Sequence, residues 1–245
     1  MLALKIVLGI ILACAALFIA LVIFVMVVSL FADRNKTYSN DSAFYRGVLY
    51  LSTAIAVVLV RIKVHTSGLD RLPDGKFLMV SNHRSRFDPI LTWHVMRRAK
   101  LAFISKPSNF KIPFFGRIIR KCCFMDIDRN DPRNAMKTIN HAADLLGRGE
   151  TSVGVYPEGT RNMTGETLLP FHDGLLRIAQ KANAPVVVVC VRGTREIQHN
   201  YPWRRSHVYI DIIDVIPAET VRTTRTTPLG EQIRDEMKAH LELYK

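Results

Sequence analysis

The residues best placed to do chemistry are His83 and Asp88, in the stretch Phe77-Leu-Met-Val-Ser-Asn-His-Arg-Ser-Arg-Phe-Asp-Pro89. An apolar run ends on Asn82-His83, and Asp88-Pro89 reads as a helix start, with aspartate at the N-cap and proline in the first turn. The short loop between them can fold the Asp88 carboxylate onto one imidazole nitrogen. That contact fixes the tautomer, raises basicity and leaves the other nitrogen as a general base. The plain alternative is a capping aspartate beside an ordinary loop histidine.

A second loop, Val153-Gly-Val-Tyr-Pro-Glu-Gly-Thr-Arg161, follows another apolar run. Proline stops the strand, Gly159 permits close backbone approach, and the planar fork of Arg161 suits a phosphate or carboxylate. Here the plain alternative is a turn closed by a surface ion pair between Glu158 and Arg161. Phe171-His-Asp-Gly174 then opens a helix. Lys106 and Arg129 each follow a strand candidate, so both fall in loops that can converge on one crevice. Phe110–Lys121 interleaves aromatic, aliphatic and basic residues, a composition suited to a headgroup layer.

Elements of regular spacing must position these loops. Strand patterns occupy 61–66, 76–81, 101–105, 122–126, 152–156, 186–191 and 207–215. Helical patterns occupy 89–98, 111–120, 132–146 and 174–182, with a last amphipathic helix at 229–243. Val221–Thr227, rich in Thr and Arg, reads as an exposed link. Strands alternating with helices predict an α/β fold, a mixed, largely parallel sheet flanked by helices. In such sheets chemistry gathers at the carboxyl ends of the strands.

The N-terminus is of another kind. No charge occurs between Lys5 and Asp33, and a helix of that length reaches roughly 40 Å, more than the roughly 30 Å of bilayer hydrocarbon. A membrane-anchoring helical segment therefore precedes the domain. Residues 47–60 are apolar but too short to span easily, which suits an interfacial or re-entrant segment. The division expected is 1–60 for membrane attachment and 61–245 for catalysis. Basic residues follow the first helix more densely than they precede it, placing the domain on the cytoplasmic side of a cell membrane.

The chain of 245 residues carries a formal net charge of +13. Residues 1–60 hold four cations against two anions, so most of the excess lies in the domain. An anionic membrane surface is the expected partner, attracting each nearby Lys or Arg by about 1 kcal/mol. Nucleic acid is not expected, because zinc-finger spacing and RNA-binding aromatic motifs are missing from the sequence. No metal is expected either, for want of HExxH or paired ligands. With no Gly-x-Ser-x-Gly elbow near Ser81 or Ser85, a serine hydrolase is also disfavoured. Four cysteines without CxxC spacing fit a reduced compartment.

Taken in order, Asn-His with Asp five residues on, then Pro-Glu-Gly-Thr-Arg, then Phe-x-x-Gly, resemble the motifs of the glycerolipid acyltransferase superfamily. The resemblance runs from about Ile62 to Arg192 and is nearest to the 1-acylglycerol-3-phosphate acyltransferases. It implies acyl transfer from a thioester, on coenzyme A or an acyl carrier protein, to a lysophospholipid hydroxyl, with no other cofactor. By that resemblance His83 is the base and Asp88 orients it. Glu158, Gly159 and Thr160 position the acceptor, while Arg161, Arg129 and Lys106 meet its phosphate. Superfamily members acting on glycerol 3-phosphate or other lysolipids are the alternative, and a non-catalytic membrane-surface binder is the alternative outside enzymes. Four departures stand out: Tyr156 for phenylalanine, His172-Asp173 where lysine is common, Pro185 alone in the last motif, and Asp126 at an apolar position.

Overall fold

The computed structural model describes residues 1–128 and 131–244. Helix α1 (Leu2–Leu30) is the long apolar segment, able by length and composition to cross a membrane. Its last turn meets the rest of the chain, where Val28 and Ser29 are buried. There the Tyr45 hydroxyl donates to the Val28 carbonyl at 3.1 Å.

Helix α2 (Ala43–Leu59) packs closely on the α/β domain, burying Tyr45, Arg46, Val48, Leu49 and Thr53. Arg46 explains its seating. Its guanidinium pairs with Asp41 at 2.7 Å, donates to the Leu101 and Cys122 carbonyls at 3.0 and 3.3 Å, and lies 4.5 Å over the Trp93 ring. A buried cation is tolerable only when its donors are used this fully. One face of α2 therefore belongs to the core of that domain, and the division at residue 60 remains a proposal about membrane contact.

The sheet is built from β1 (Ile62–Ser67), β2 (Leu78–Ser81), β3 (Ala102–Ser105), β4 (Met125–Asp126), β5 (Val153–Val155), β6 (Val186–Arg192) and β7 (Ser206–Ile216). Their order is β1-β7-β6-β2-β5-β3-β4. Every pairing is parallel except β6 with β7. The central strands β2 and β5 and the first six residues of β6 are buried, so they read as continuous apolar runs rather than alternating ones. Around the sheet lie α3 (Asp88–Val95), α4 (Phe115–Lys121), α5 (Pro132–Gly147), α6 (Arg177–Ala182), α7 (Ile197–Asn200), α8 (Ala218–Thr223) and α9 (Thr226–Glu242). The expected mixed, largely parallel α/β sheet with an apolar N-terminal helix is the fold observed.

Three expectations need correction. Pro113 divides the helix expected at 111–120, leaving a 3-10 turn (Pro107–Lys111) and then α4. Within α4, Arg120 faces inward rather than toward headgroups. It is 7% exposed, lies 3.8 Å over the Phe110 ring and pairs with Asp126 at 2.5 Å. That pair also accounts for the unexpected carboxylate at position 126. Lastly, the supposed link after residue 220 begins within α8, held by buried Val221 and by Gln180, which donates to the Val221 and Thr224 carbonyls.

Candidate functional site

Strand β2 delivers Asn82 and His83 to the middle of the sheet's carboxyl edge. Asn82 is fully buried and continues the ladder with its side chain, donating to the Val191 carbonyl at 2.9 Å and accepting from the Val191 N–H at 2.8 Å. The strand thus ends firmly one residue before the histidine.

His83 Nδ1 lies 2.8 Å from Asp88 Oδ2. The same oxygen accepts from the backbone N–H groups of Arg84 and Ser85, each at 2.7 Å. Asp88 is therefore no N-cap: it is the first residue of α3, makes no capping hydrogen bond there, and turns its carboxylate back into the loop. The capping expectation fails because these loop donors and the imidazole claim the carboxylate. Its other oxygen, Oδ1, accepts from the Thr194 hydroxyl at 2.6 Å. Thr194 follows β6, the strand beside β2, after Gly193 at φ +80°. A Cβ at Gly193 would strike the His207 carbonyl, so only glycine allows that turn.

An ionised Asp88 only accepts, so Nδ1 carries the imidazole proton and Nε2 offers a lone pair. Among the described residues no side chain is hydrogen-bonded to Nε2. The imidazole stacks on the Tyr156 ring with centroids 4.4 Å apart, and Tyr156 stacks in turn on Phe103 at 5.9 Å. Burial pushes the Tyr156 hydroxyl well above its usual value, so it serves as a neutral wall.

The loop after β5 clasps the His83 loop. Glu158 is 3% exposed; one oxygen accepts from the His83 N–H at 2.8 Å and the other from Leu169 N–H at 2.9 Å. Asn162 N–H donates to the His83 carbonyl at 2.7 Å. Burial raises the Glu158 carboxyl despite these donors. The surface ion pair with Arg161 is not formed, because Glu158 points inward. Gly159 turns at φ +67°, which a side chain would strain. Thr160 is exposed, and Arg161, half-buried, has no hydrogen-bond or ion-pair partner among the described residues. Lys106 is exposed at the end of β3, on the same edge of the sheet. Arg129 lies outside the described residues.

Beside Tyr156 an apolar cavity of about 240 Å³ opens between β3, β5 and α5, lined by Ile104, Ile139, Val155, Gly159 and Leu175 among others. His172 lines it too, whereas the Asp173 carboxylate packs on Gly230 of α9, away from this wall. A second hollow of about 380 Å³ abuts Thr194 and carries Arg84, Arg192 and Arg195. Sequence reading passed over Thr194 and these last two arginines. They lie just beyond the matched motifs or at their edge, and nothing local marks them.

Neither nearby serine is set up as a nucleophile. The Ser81 hydroxyl donates to the Asn82 carbonyl at 3.4 Å, and Ser85 Oγ accepts from Phe87 N–H at 3.3 Å. Among the described residues no group of three or more His, Cys, Asp or Glu side chains could hold a metal.

Residues 62–192 match the acyltransferase family. The chain is 25% identical over 183 residues to the 1-acyl-sn-glycerol-3-phosphate acyltransferase of Saccharomyces cerevisiae, covering 74% of this chain and 60% of that one. With the Escherichia coli protein of the same name it shares 29% over 143 residues, covering 58% of this chain and 56% of that one. Among solved structures, the 1-acyl-sn-glycerophosphate acyltransferase of Thermotoga maritima superposes with a TM-score of 0.67 at 26% identity. That match covers 90% of this chain and 86% of the other. The chain thus spans somewhat over half the length of the yeast and E. coli relatives.

Proposed function

The chain belongs to the acyltransferase family, and we propose that it moves an acyl group from a thioester to the free hydroxyl of 1-acyl-glycerol-3-phosphate, forming phosphatidic acid. The observation that carries this reading is the His83 imidazole, fixed through Nδ1 by a buried carboxylate and open at Nε2. Such a group removes a proton from a substrate hydroxyl; neither nearby serine is hydrogen-bonded to Nε2, so we read the attack as direct, without an acyl-enzyme.

In the proposed step, the acceptor hydroxyl gives its proton to Nε2 while its oxygen attacks the thioester carbonyl. Asp88 steadies the resulting imidazolium through Nδ1–H. The tetrahedral intermediate collapses, the carbon–sulfur bond breaks, and the departing thiolate recovers the proton from Nε2–H. The ester is formed and the histidine returns neutral. The apolar cavity beside Tyr156 suits a hydrocarbon chain, and the unengaged fork of Arg161 suits the acceptor phosphate, with Lys106 adding charge. Glu158 would position substrate through the loops it clasps, since both its oxygens are already bonded to backbone. The site proposed needs no cofactor beyond the acyl thioester. Coenzyme A is the donor we favour for a test, with acyl carrier protein as its competitor. Together with α1, the basic domain suits work at an anionic membrane surface, on its cytoplasmic side.

The test is a panel. Purified full-length protein in mixed micelles is offered lysophosphatidate, glycerol 3-phosphate and several neutral or zwitterionic lysolipids, each with labelled acyl-CoA or acyl carrier protein. Preference for lysophosphatidate supports the reading; preference for glycerol 3-phosphate or another lysolipid replaces its acceptor.

A further inference from the structure

Helix α2 has an outward face that the core does not use. Phe44, Leu51 and Val58, spaced seven apart and therefore on one side, are 55%, 52% and 74% exposed. Phe44 meets Phe24 of α1 edge-on, with centroids 6.4 Å apart, so one end of this stripe continues the apolar surface of α1. The other end lies about 21 Å away by helix rise. There Arg61 donates to the carbonyls of Pro202 and Trp203 at 3.3 and 3.2 Å, tying a loop to the end of α2.

That loop, Tyr-Pro-Trp-Arg-Arg at 201–205, is exposed throughout. Trp203 is 84% exposed, the most of any aromatic side chain among the described residues. Arg204 and Arg205 follow it in the chain and Arg61 bonds to its carbonyl, and among the described residues none of the three has an ion-pair partner. A large indole held in water gains nothing from the fold. Indole and phenol rings beside unpaired arginines match the boundary between headgroups and acyl chains.

We propose that the loop 201–205 is a second footing on the bilayer, docking Trp203 and Tyr201 among anionic headgroups at the end of α2 remote from α1. The occupant is a lipid surface because Arg61 ties the loop to the end of α2, the helix whose exposed stripe meets α1 at its other end, and because the loop's charge is complementary to anionic lipid. One anchoring helix leaves a domain free to rotate about it; a second contact about 21 Å away fixes its tilt. The inference depends on α1 lying in a bilayer and not on the acyl-transfer reading.

Tryptophan fluorescence tests it on the full-length chain, reconstituted into vesicles of phosphatidylcholine with or without phosphatidylglycerol. The chain has two tryptophans, and Trp93 is only 2% exposed, so the difference between the parent and Trp203→Phe isolates the loop. In anionic vesicles we expect Trp203 emission to shift to the blue, to be quenched by lipids brominated near the headgroup, and to be protected from iodide. Arg204→Gln and Arg205→Gln should each weaken docking about fivefold. Trp203 emission that stays open to iodide and unquenched by brominated lipid overturns the proposal. Iodide protection that grows with protein concentration in lipid-free micelles assigns the patch to a second copy of the chain, and also overturns it. Enzyme activity enters neither result.

Discussion

Thr194 reaches Asp88 from 106 residues away in sequence, with a 2.6 Å hydrogen bond to the oxygen that His83 does not use. Removing that donor leaves one carboxylate oxygen without a partner and frees the carboxylate to turn away from Nδ1, so the imidazole loses its fixed orientation. Thr194→Val should therefore lower kcat on the order of tenfold, the scale of one hydrogen bond to a charged group, with little change in either KM. Thr194→Ser should restore kcat. A merely structural threonine would change melting temperature and leave kcat in place at matched folded concentration. Arg161, with no partner among the described residues, makes a different prediction. Arg161→Ala should raise KM for lysophosphatidate well above any change for the donor. Arg161→Lys should recover only part, since a point charge cannot replace a bidentate fork; normal acceptor KM in both variants would make Arg161 a turn residue. His83 and Asp88 were legible because five residues of loop bring them together. Thr194 was not, because its place depends on β6 lying beside β2, which no local pattern states.

At the level of elements, most strands were legible as apolar runs, but the burial of α2 was not. A short apolar helix suits an interface and a core equally well; Arg46 near its start decides between them, through carbonyl partners on distant segments. Arg46→Ala should cost about 3–5 kcal/mol, the usual cost of breaking a buried ion pair. Denaturant unfolding read by the emission of Trp93, which Arg46 covers, would measure it; a loss under 1 kcal/mol would mean a peripheral helix. Helix α8 was missed for the opposite reason: β-branched Thr220, Val221 and Thr223 make up half of its six residues and favour helix weakly, and packing of Val221 decides the outcome. Asp211 joins further elements by accepting from Ser67 on β1, Arg192 on β6 and His240 on α9. Burial alone would raise its carboxyl, but these donors outweigh that and hold it below the usual 3.8. A depressed folded pKa gives stability that is complete above about pH 4 and is lost as pH falls through the lowered value. Asp211→Asn should accordingly lower the melting temperature at neutral pH and flatten its fall in acid. An unchanged acid profile would remove Asp211 from this role.

For the molecule as a whole, an apolar helix, a basic α/β domain and a histidine at the sheet's carboxyl edge make one proposed arrangement: lipid chemistry beside a bilayer. Composition already carried the first two of these. What composition could not carry is the state of the histidine, which depends on four donors converging on one buried carboxylate. The most direct measurement follows labelled phosphatidate formed from acyl-CoA and lysophosphatidate by full-length protein and by His83→Ala, in the same vesicles and at matched folded concentration. Loss of a general base should slow the variant by about 10²–10⁴-fold while its melting temperature and membrane attachment stay unchanged. Equal rates in the two proteins, or no phosphatidate from either, would contradict the account.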